Sequence, residues 1–291
     1  MDTITLRNGI LTVQIAAMGA EIISIRDAVG VERLWQGRPG AWSKQAPVLF
    51  PIAGALKEDT YRLDGKFYTL PKHGFARERL FAVEEHTGDE ATFLLSGPAA
   101  AHEGFPFVYT LRLRYTLSDN ALIARSTVEN LDEKPLWYSA GGHEAYACPG
   151  GVKQYRIVFD QSESLAHSRV GGSMLTGETV PVESFSPVEM GGRVLPIRDA
   201  LFANDSLVLA SLKSRSVMLE SSLHPRRVRV DFPDFDYLLL WTQAGEDYLC
   251  IEPWHNLPDR ADTDQDITRK PGMIRVGPGC ASTLTHAMTF E

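Results

Sequence analysis

Residues 108–120, VYTLRLRYTLSDN, alternate apolar and polar side chains and then end in a turn. Aromatic and aliphatic residues occupy every second position from Tyr109 to Leu117, and threonine or arginine fills each position between them. A period of two places the two sets on opposite faces of an extended chain, so the stretch predicts a β-strand with one face in a core. The polar turn 118–120 predicts a hairpin into a following strand.

The same pattern recurs along the chain. Asp64-Gly65 separates two short alternating runs, as in a two-residue β-hairpin, and about a dozen or more strands follow from this reading. Helical periodicity is nearly absent, while 162–203 is rich in Gly, Pro, Ser and Glu and predicts long loops with short extended pieces. We expect an all-β fold with few or no helices, built as a large antiparallel sandwich. No repeat or linker divides residues 1–291, which predicts a single domain.

Composition narrows the class of protein. The 291 residues are 44% hydrophobic and carry a formal net charge of -8, so no basic surface is available for nucleic acid. No stretch reaches the roughly 18 apolar residues of a membrane span, so no membrane partner is expected. Three cysteines at wide spacing fit reduced thiols and a cytoplasmic protein. Composition leaves the oligomeric state open between monomer and dimer.

Three stretches place a titratable side chain where a strand gives way to Gly or Pro: PKHGFAR (71–77), WYSAGGHEAY (137–146) and YLCIEPWHNLPD (248–259). They contain His73, His143 and Glu252. Two imidazoles and a carboxylate are suited to general acid–base catalysis near neutral pH. A carboxylate within the apolar run around Glu252 is costly unless it has a partner or a role.

Other chemistries fit the sequence less well. Histidine and glutamate also bind metals, but no H-x-H or H-x-x-x-H pair occurs and the cysteines are scattered, so we expect no metal. A G-x-S-x-G nucleophile motif and a phosphate-binding glycine loop are both missing. Glycoside hydrolysis would require a second well-placed carboxylate besides Glu252.

Together these stretches resemble the aldose 1-epimerase (galactose mutarotase-like) family, most closely its LacX-like branch. The matching segments are APVLFPIAG (46–54), DGKFYTLPKHGFAR (64–77), YSAGGHEAY (138–146), SLVLASLKSRSVML (206–219) and LLLWTQAGEDYLCIEPW (238–254). The resemblance implies a β-supersandwich that interconverts the α and β anomers of a free aldose without cofactor or metal. The expected partner is therefore a small sugar, a hexose.

The resemblance also implies roles for particular residues. Glu252 corresponds to the general base, His143 to the general acid, and His73 to a partner at the ring oxygen of the sugar. Arg77 would contact the hydroxyl groups, and Asp205 occupies the position in chain order of an aspartate that holds the substrate.

The corner and the walls of the site carry further expectations. The glycines before His143 would let its side chain stand clear of the sheet and face Glu252. Trp254 and Phe75 are candidates both for a wall that stacks on the sugar and for the core, as are Trp42 and Trp137. Relatives often carry Arg where this chain has Ala55, and Lys57 is expected to replace that cation.

Two alternatives to a free-hexose mutarotase remain at this point. One is a hexose 6-phosphate mutarotase, in which Arg77 with Lys44 or Lys57 would bind the phosphate. The other is a non-catalytic sugar-binding protein on the same scaffold. For a catalyst we expect a bell-shaped pH profile with an optimum at about pH 6 to 7.5, since the carboxylate must be ionised and the imidazole protonated.

Overall fold

The structure is a computed structural model that describes residues 2–182, 185 and 191–291. In those residues the regular secondary structure is almost entirely β-strand, and every strand pairing within the sheets is antiparallel. The strands are β1 (Thr3–Arg7), β2 (Leu11–Ala16), β3 (Glu21–Asp27), β4 (Thr60–Leu63), β5 (Lys66–Thr69), β6 (Ala82–His86), β7 (Glu90–Leu95), β8 (Tyr109–Ser118), β9 (Ala121–Asn130), β10 (Leu136–Tyr138), β11 (Glu144–Ala147), β12 (Tyr155–Phe159), β13 (Ala166–Gly171), β14 (Met174–Pro181), β15 (Val194–Pro196), β16 (Leu207–Leu209), β17 (Ser216–Ser221), β18 (Val228–Asp231), β19 (Tyr237–Trp241), β20 (Tyr248–Trp254), β21 (Ile274–Val276) and β22 (Ala281–Phe290).

In the part of the chain that the structure describes, helices are short. The α-helix α1 (Gly97–Ala100) has four residues, and 3-10 helices occur at Lys57–Asp59, Ala76–Glu78, Val152–Gln154 and Asp199–Phe202. Within the described part of the chain, no helix has the length and apolar character needed to cross a lipid bilayer.

Two large sheets form the body of the molecule. One has nine strands in the order β15-β12-β17-β18-β22-β9-β8-β7-β6, and the other has six in the order β11-β20-β19-β16-β13-β14. Smaller sheets, β1-β2-β3, β4-β5 and β10-β21, lie beside them. This architecture confirms the predicted all-β antiparallel fold.

Residues 108–120 contain β8 and the turn of the β8–β9 hairpin. Ser118 pairs with Ala121, so Asp119 and Asn120 make a two-residue turn, and Asp119 has the positive φ that such turns require. Tyr109, Leu111, Leu113, Tyr115 and Leu117 are all buried as predicted. The Asp64-Gly65 hairpin joins β4 to β5 with both turn residues at positive φ.

The central strands of the six-stranded sheet, β16, β19 and β20, are buried on both faces. Leu240 of β19 and Ile251 of β20 belong to the main core, which also contains Leu111 of β8 in the nine-stranded sheet. Leu239 and Trp254, on the opposite face, belong to a second cluster. The face turned toward the nine-stranded sheet is called the inner face below, and the opposite one the outer face.

The loop prediction for 162–203 was wrong in part. β13 and β14 form a hairpin there at the edge of the six-stranded sheet. Most of their side chains are exposed or half-buried, so the apolar alternation that identifies a strand is missing from the sequence. Residues 183–184 and 186–190 lie outside the described residues. The prediction that residues 1–291 form a single domain stays a prediction.

Candidate active site

His143 and Glu252 meet on the outer face of the six-stranded sheet. In the antiparallel pair β11–β20, Glu144 is opposite Ile251, which places His143 beside Glu252 at the end of the ladder. Because side chains alternate along a strand, His143 and Glu252 share one face and Glu144 lies on the other. The Nε2 atom of His143 and the Oε2 atom of Glu252 are 3.3 Å apart, and both residues are buried.

The Gly141-Gly142 corner permits close packing against β20. A Cβ atom on Gly141 would lie 2.7 Å from Cδ1 of Trp254, and one on Gly142 would lie 2.5 Å from Oε2 of Glu144. The Gly142 N–H donates to the Pro253 carbonyl, and the Trp254 indole donates to the Gly142 carbonyl. The corner therefore positions His143 because only glycine leaves room for these contacts.

His73 approaches the pair from a separate loop. Its backbone has a φ of 70°, and its N–H donates to the Gly54 carbonyl at 2.8 Å. The Gly54 N–H donates to Nδ1 of the His73 ring at 3.1 Å, so a neutral ring carries its proton on Nε2. The ring lies edge-on to His143 and to Trp254, with centroids 5.7 Å and 5.3 Å away.

A cavity of about 330 Å³ opens over these groups. Its volume is at the lower end of the range for small-molecule sites, which is about 300–1,000 Å³. Trp42, Trp241 and Trp254 supply aromatic surface, and the Trp42 ring stacks on His143 with centroids 4.9 Å apart. Such flat apolar walls with a few polar groups suit the face of a sugar ring.

Charged side chains of both signs line the same cavity. Lys44, Lys72 and Arg77 contribute cations, while Asp205 and Glu252 contribute carboxylates. The Arg77 guanidinium donates to the Lys72 carbonyl at 3.0 Å, which fixes it at the rim.

Burial shifts the pKa values of the three central groups. Loss of solvent raises the pKa of Glu252 well above its usual range, and the nearby Glu144 carboxylate raises it further. Burial lowers the pKa of His143 to about 4, although the Glu144 charge acts in the opposite direction. Burial, followed by the His143 ring, lowers the pKa of His73 well below its ordinary value.

These shifts reverse the order assumed from the sequence. We expected an ionised Glu252 beside a protonated His143. In the structure burial outweighs the Glu144 charge, so a single proton shared by the pair resides on Glu252. The two groups titrate together, and their pH limits belong to the pair.

The structure brings six of the eight residues predicted for the site to one cavity. These are His73, Arg77, His143, Asp205, Glu252 and Trp254. Phe75 lies elsewhere, since its ring stacks on His102 at 4.3 Å and packs in the main core. Lys57 also lies outside the cavity lining, in a 3-10 helix where its backbone N–H donates to Asp259.

Several lining residues were missed by the sequence argument. Lys72 directly precedes His73 in PKHGFAR, so its position next to a candidate catalytic residue was the available signal. Trp241 ends β19, which pairs with β20, and strand order cannot be read from sequence alone. Trp137, proposed as a possible wall, instead packs against the main core on β10.

One group of side chains has the composition of a metal site. Ligand atoms of His143, Cys250 and Glu252 lie within 4.8 Å of one another. Burial, together with the Glu252 and Glu144 charges, raises the pKa of the Cys250 thiol well above its usual range. A bound cation would itself stabilise the thiolate, so chelation is the test of whether these three groups hold a metal.

Comparisons with known proteins agree with the sequence resemblance. Residues 2–272 match the family model for aldose 1-epimerase. Protein LacX (chromosomal) of Lactococcus lactis subsp. lactis is 34% identical over an alignment 299 residues long, gaps included. The alignment covers 99% of this chain and 99% of that protein. A galactose mutarotase related enzyme from Lactobacillus acidophilus superimposes with a TM-score of 0.91 at 30% identity, covering 100% of this chain and 97% of that one. A galactose mutarotase-like protein from Lactobacillus casei gives 0.92 at 28% identity, covering 100% of both chains. The chain therefore belongs to the aldose 1-epimerase family of isomerases, the mutarotases.

Proposed function

We propose that this protein interconverts the α and β anomers of a free hexose. The observation that carries the proposal is the 3.3 Å approach of His143 Nε2 to Glu252 Oε2 within an aromatic cavity of sugar-binding character. A carboxylate and an imidazole at one point are sufficient for an acid–base reaction in both directions.

The reaction needs one proton to be removed and one to be supplied. Glu252 takes the proton of the anomeric hydroxyl while His143 donates a proton to the ring oxygen. The bond from the anomeric carbon to the ring oxygen breaks, and the anomeric hydroxyl becomes an aldehyde oxygen. Rotation about the bond between the first two carbons presents the other face of the aldehyde. Ring closure then returns both protons with the roles exchanged.

The pair supplies this chemistry from a neutral resting form. With one proton on Glu252 and none on His143, transfer of that proton across 3.3 Å gives the carboxylate–imidazolium arrangement without changing the net charge of the site. The neutral His73 ring offers an Nε2–H donor to the ring oxygen. Burial of the pair keeps bulk water from competing for these protons.

Substrate binding is assigned to the rim and the walls. Arg77 and Asp205 hold the hydroxyl groups, and Trp254 stacks on the ring. Lys72 takes the cationic contact first expected of Lys57, because Lys72 lines the cavity and Lys57 does not.

A second candidate substrate is a hexose 6-phosphate. It is favoured by Lys44, Lys72 and Arg77, which place three cations around one cavity. The opposing observation is that Lys44 already forms an ion pair with Glu21 at 3.4 Å. We place free hexose first for this reason.

Polarimetry separates these substrates. Freshly dissolved α-D-glucose, α-D-galactose and α-D-glucose 6-phosphate are followed with and without the protein, and the spontaneous rate is subtracted. Acceleration of the free sugars supports the proposal, and acceleration of the phosphosugar alone supports the second candidate. Binding without acceleration of any sugar identifies a sugar-binding protein and refutes both.

We further propose that residues 1–291 act as one domain in the cytoplasm, as a monomer or dimer, and need no metal or cofactor. Three free cysteines, of which Cys148 and Cys250 are buried, support a reducing compartment. Size-exclusion chromatography tests the assembly, and prolonged chelation followed by desalting tests the metal requirement.

A further inference from the structure

A buried carboxylate–imidazole pair joins the two large sheets directly behind the candidate active site. Glu144, on the inner face of β11, accepts a hydrogen bond at Oε1 from Nε2 of His286 on β22, at 3.0 Å. Glu144 is 4% exposed and His286 is 9% exposed. The mechanism proposed above uses neither residue, and a buried carboxylate is costly to retain without a role.

The Glu144 carboxylate also shapes the corner that carries His143. Both of its oxygens occupy the space where a side chain of Gly142 would begin, at 2.5 and 2.8 Å from an ideal Cβ position. Residue 143 stands between these two residues in the chain. The carboxylate therefore packs against Gly142, directly before the residue that carries the active-site imidazole.

One carboxylate oxygen is unsatisfied. Oε2 of Glu144 is buried without a hydrogen-bond partner among the described residues, and so is Oγ of Ser126. Both residues line a cavity of about 40 Å³, which has room for a water molecule. Among the described residues, His286 is therefore the side chain that donates a hydrogen bond to the Glu144 carboxylate.

We propose that Glu144 and His286 are a positioning pair for the active-site corner, in which His286 holds the Glu144 carboxylate against Gly142 and that carboxylate places a negative charge behind His143 and Glu252. The inference rests on the proposed function, because it assigns the pair to that reaction. Charge from β11 acts on both reacting groups in the same sense: it makes Glu252 harder to ionise and His143 easier to protonate.

Among the titratable groups behind the active-site corner, Glu144 is the main buried charge. Burial raises the pKa of the thiol and phenol groups that face it, which keeps them neutral. Arg125 is exposed at the mouth of the small cavity, where solvent screens it. The titratable groups near Glu144 are Tyr115 on β8, Arg125 on β9, Tyr146 on β11, Cys250 on β20, His286 on β22 and, beyond Tyr115, Glu21 on β3.

The test compares Glu144→Gln with Glu163→Gln as a matched control. Glu163 is also a buried glutamate, 5% exposed, whose carboxylate accepts backbone N–H groups of Lys213 and Ser214 outside the active-site cavity. For Glu144→Gln we expect kcat to fall about tenfold with KM nearly unchanged, since the corner is misplaced while the substrate contacts remain. Both limbs of the pH profile should move to lower pH by at least about half a unit. Without the Glu144 charge, Glu252 ionises more readily and His143 is harder to protonate.

His286 provides the second arm. His286→Gln keeps a donor near the position of Nε2 and should retain most of kcat, whereas His286→Ala should lose about as much as Glu144→Gln. Limbs that stay in place in Glu144→Gln, or that move equally in Glu163→Gln, would overturn the inference. So would equal losses in His286→Gln and His286→Ala.

A measurement in the absence of sugar distinguishes a failure of the proposed function from a failure of this inference. NMR titration of the His143 imidazole in the sugar-free protein requires no turnover. The His143 titration should move to lower pH in Glu144→Gln and stay in place in Glu163→Gln. A parent protein that accelerates no sugar would refute the proposed function, while this titration would still decide whether Glu144 acts on His143.

Discussion

The pH dependence of the reaction tests the proposed roles most directly. The active form contains one proton shared by His143 and Glu252, so activity requires a pH above the first and below the second titration of the pair. Burial lowers the pKa of His143 to about 4 and raises that of Glu252 well above its usual range, so the one-proton form extends upward from about pH 4 to the raised pKa of Glu252.

The residue that each limb of the pH profile reports is therefore the reverse of that in a pair with ordinary pKa values. The acid limb reports protonation of His143 when Glu252 is already protonated, and the alkaline limb reports loss of the proton held by Glu252. Below about pH 4, kcat/KM should fall about tenfold per pH unit. An ordinary imidazole acid would instead give an alkaline limb at about pH 6.5, and kcat/KM would fall about 100-fold by pH 8.5.

Single variants distinguish the two assignments. Glu252→Gln leaves His143 as the remaining acid of the pair, so the residual rate should decrease as pH rises past about 4. His143→Asn leaves Glu252 as the base, so the residual rate should increase with pH as the carboxylate ionises. Each variant should lose about 10²- to 10⁴-fold in kcat at the optimum. The assay is polarimetry from pH 3 to 9 with the spontaneous rate subtracted. An alkaline limb near pH 6.5 that disappears in His143→Asn would refute the assignment.

Four further predictions follow from the same structure. The pKa of Glu252 is raised in the folded state, so the contribution of its protonated form to stability is complete below about pH 4.3 and is lost as pH rises through the folded pKa. Glu252→Gln should therefore melt at a higher temperature than the parent at pH 8 and show no such gain at pH 3.5. Gly142→Ala should cost about 1–3 kcal/mol of unfolding free energy and lower kcat, while Gly88→Ala, whose Cβ meets open space, should do neither. Arg77→Ala should raise KM for a hexose more than Lys57→Ala does, because Lys57 lies outside the cavity; equal effects would contradict this placement. Chelation should leave mutarotation unchanged, whereas loss of activity that zinc restores would assign His143, Cys250 and Glu252 as ligands.

The sequence was sufficient where structure depends on local patterns. The β8 strand follows from the alternation between Tyr109 and Leu117, and the turn at Asp119 follows from residues that tolerate positive φ. The hairpin β13–β14 was missed because an exposed edge strand needs no apolar face. Phe75 lies in a segment that matches the family and Lys57 lies shortly after one, yet Phe75 packs in the main core and Lys57 sits in a 3-10 helix outside the cavity lining.

Charge in the site depends on contacts that no local pattern contains. Cys250, Glu252 and His143 come together only when β11 pairs with β20, and Glu144 meets His286 only when the six-stranded sheet packs on the nine-stranded sheet. Sequence identifies Glu252 and His143 as an acid–base pair, but which of them holds the proton depends on burial by Trp42, Trp241 and the sheet beneath. Glu144 and Glu252 lie on opposite faces of the six-stranded sheet, and the Glu144 charge adds to burial in raising the pKa of Glu252. Their repulsion costs folding stability, and at the same time it favours the protonated form of Glu252, from which the pair can transfer the proton.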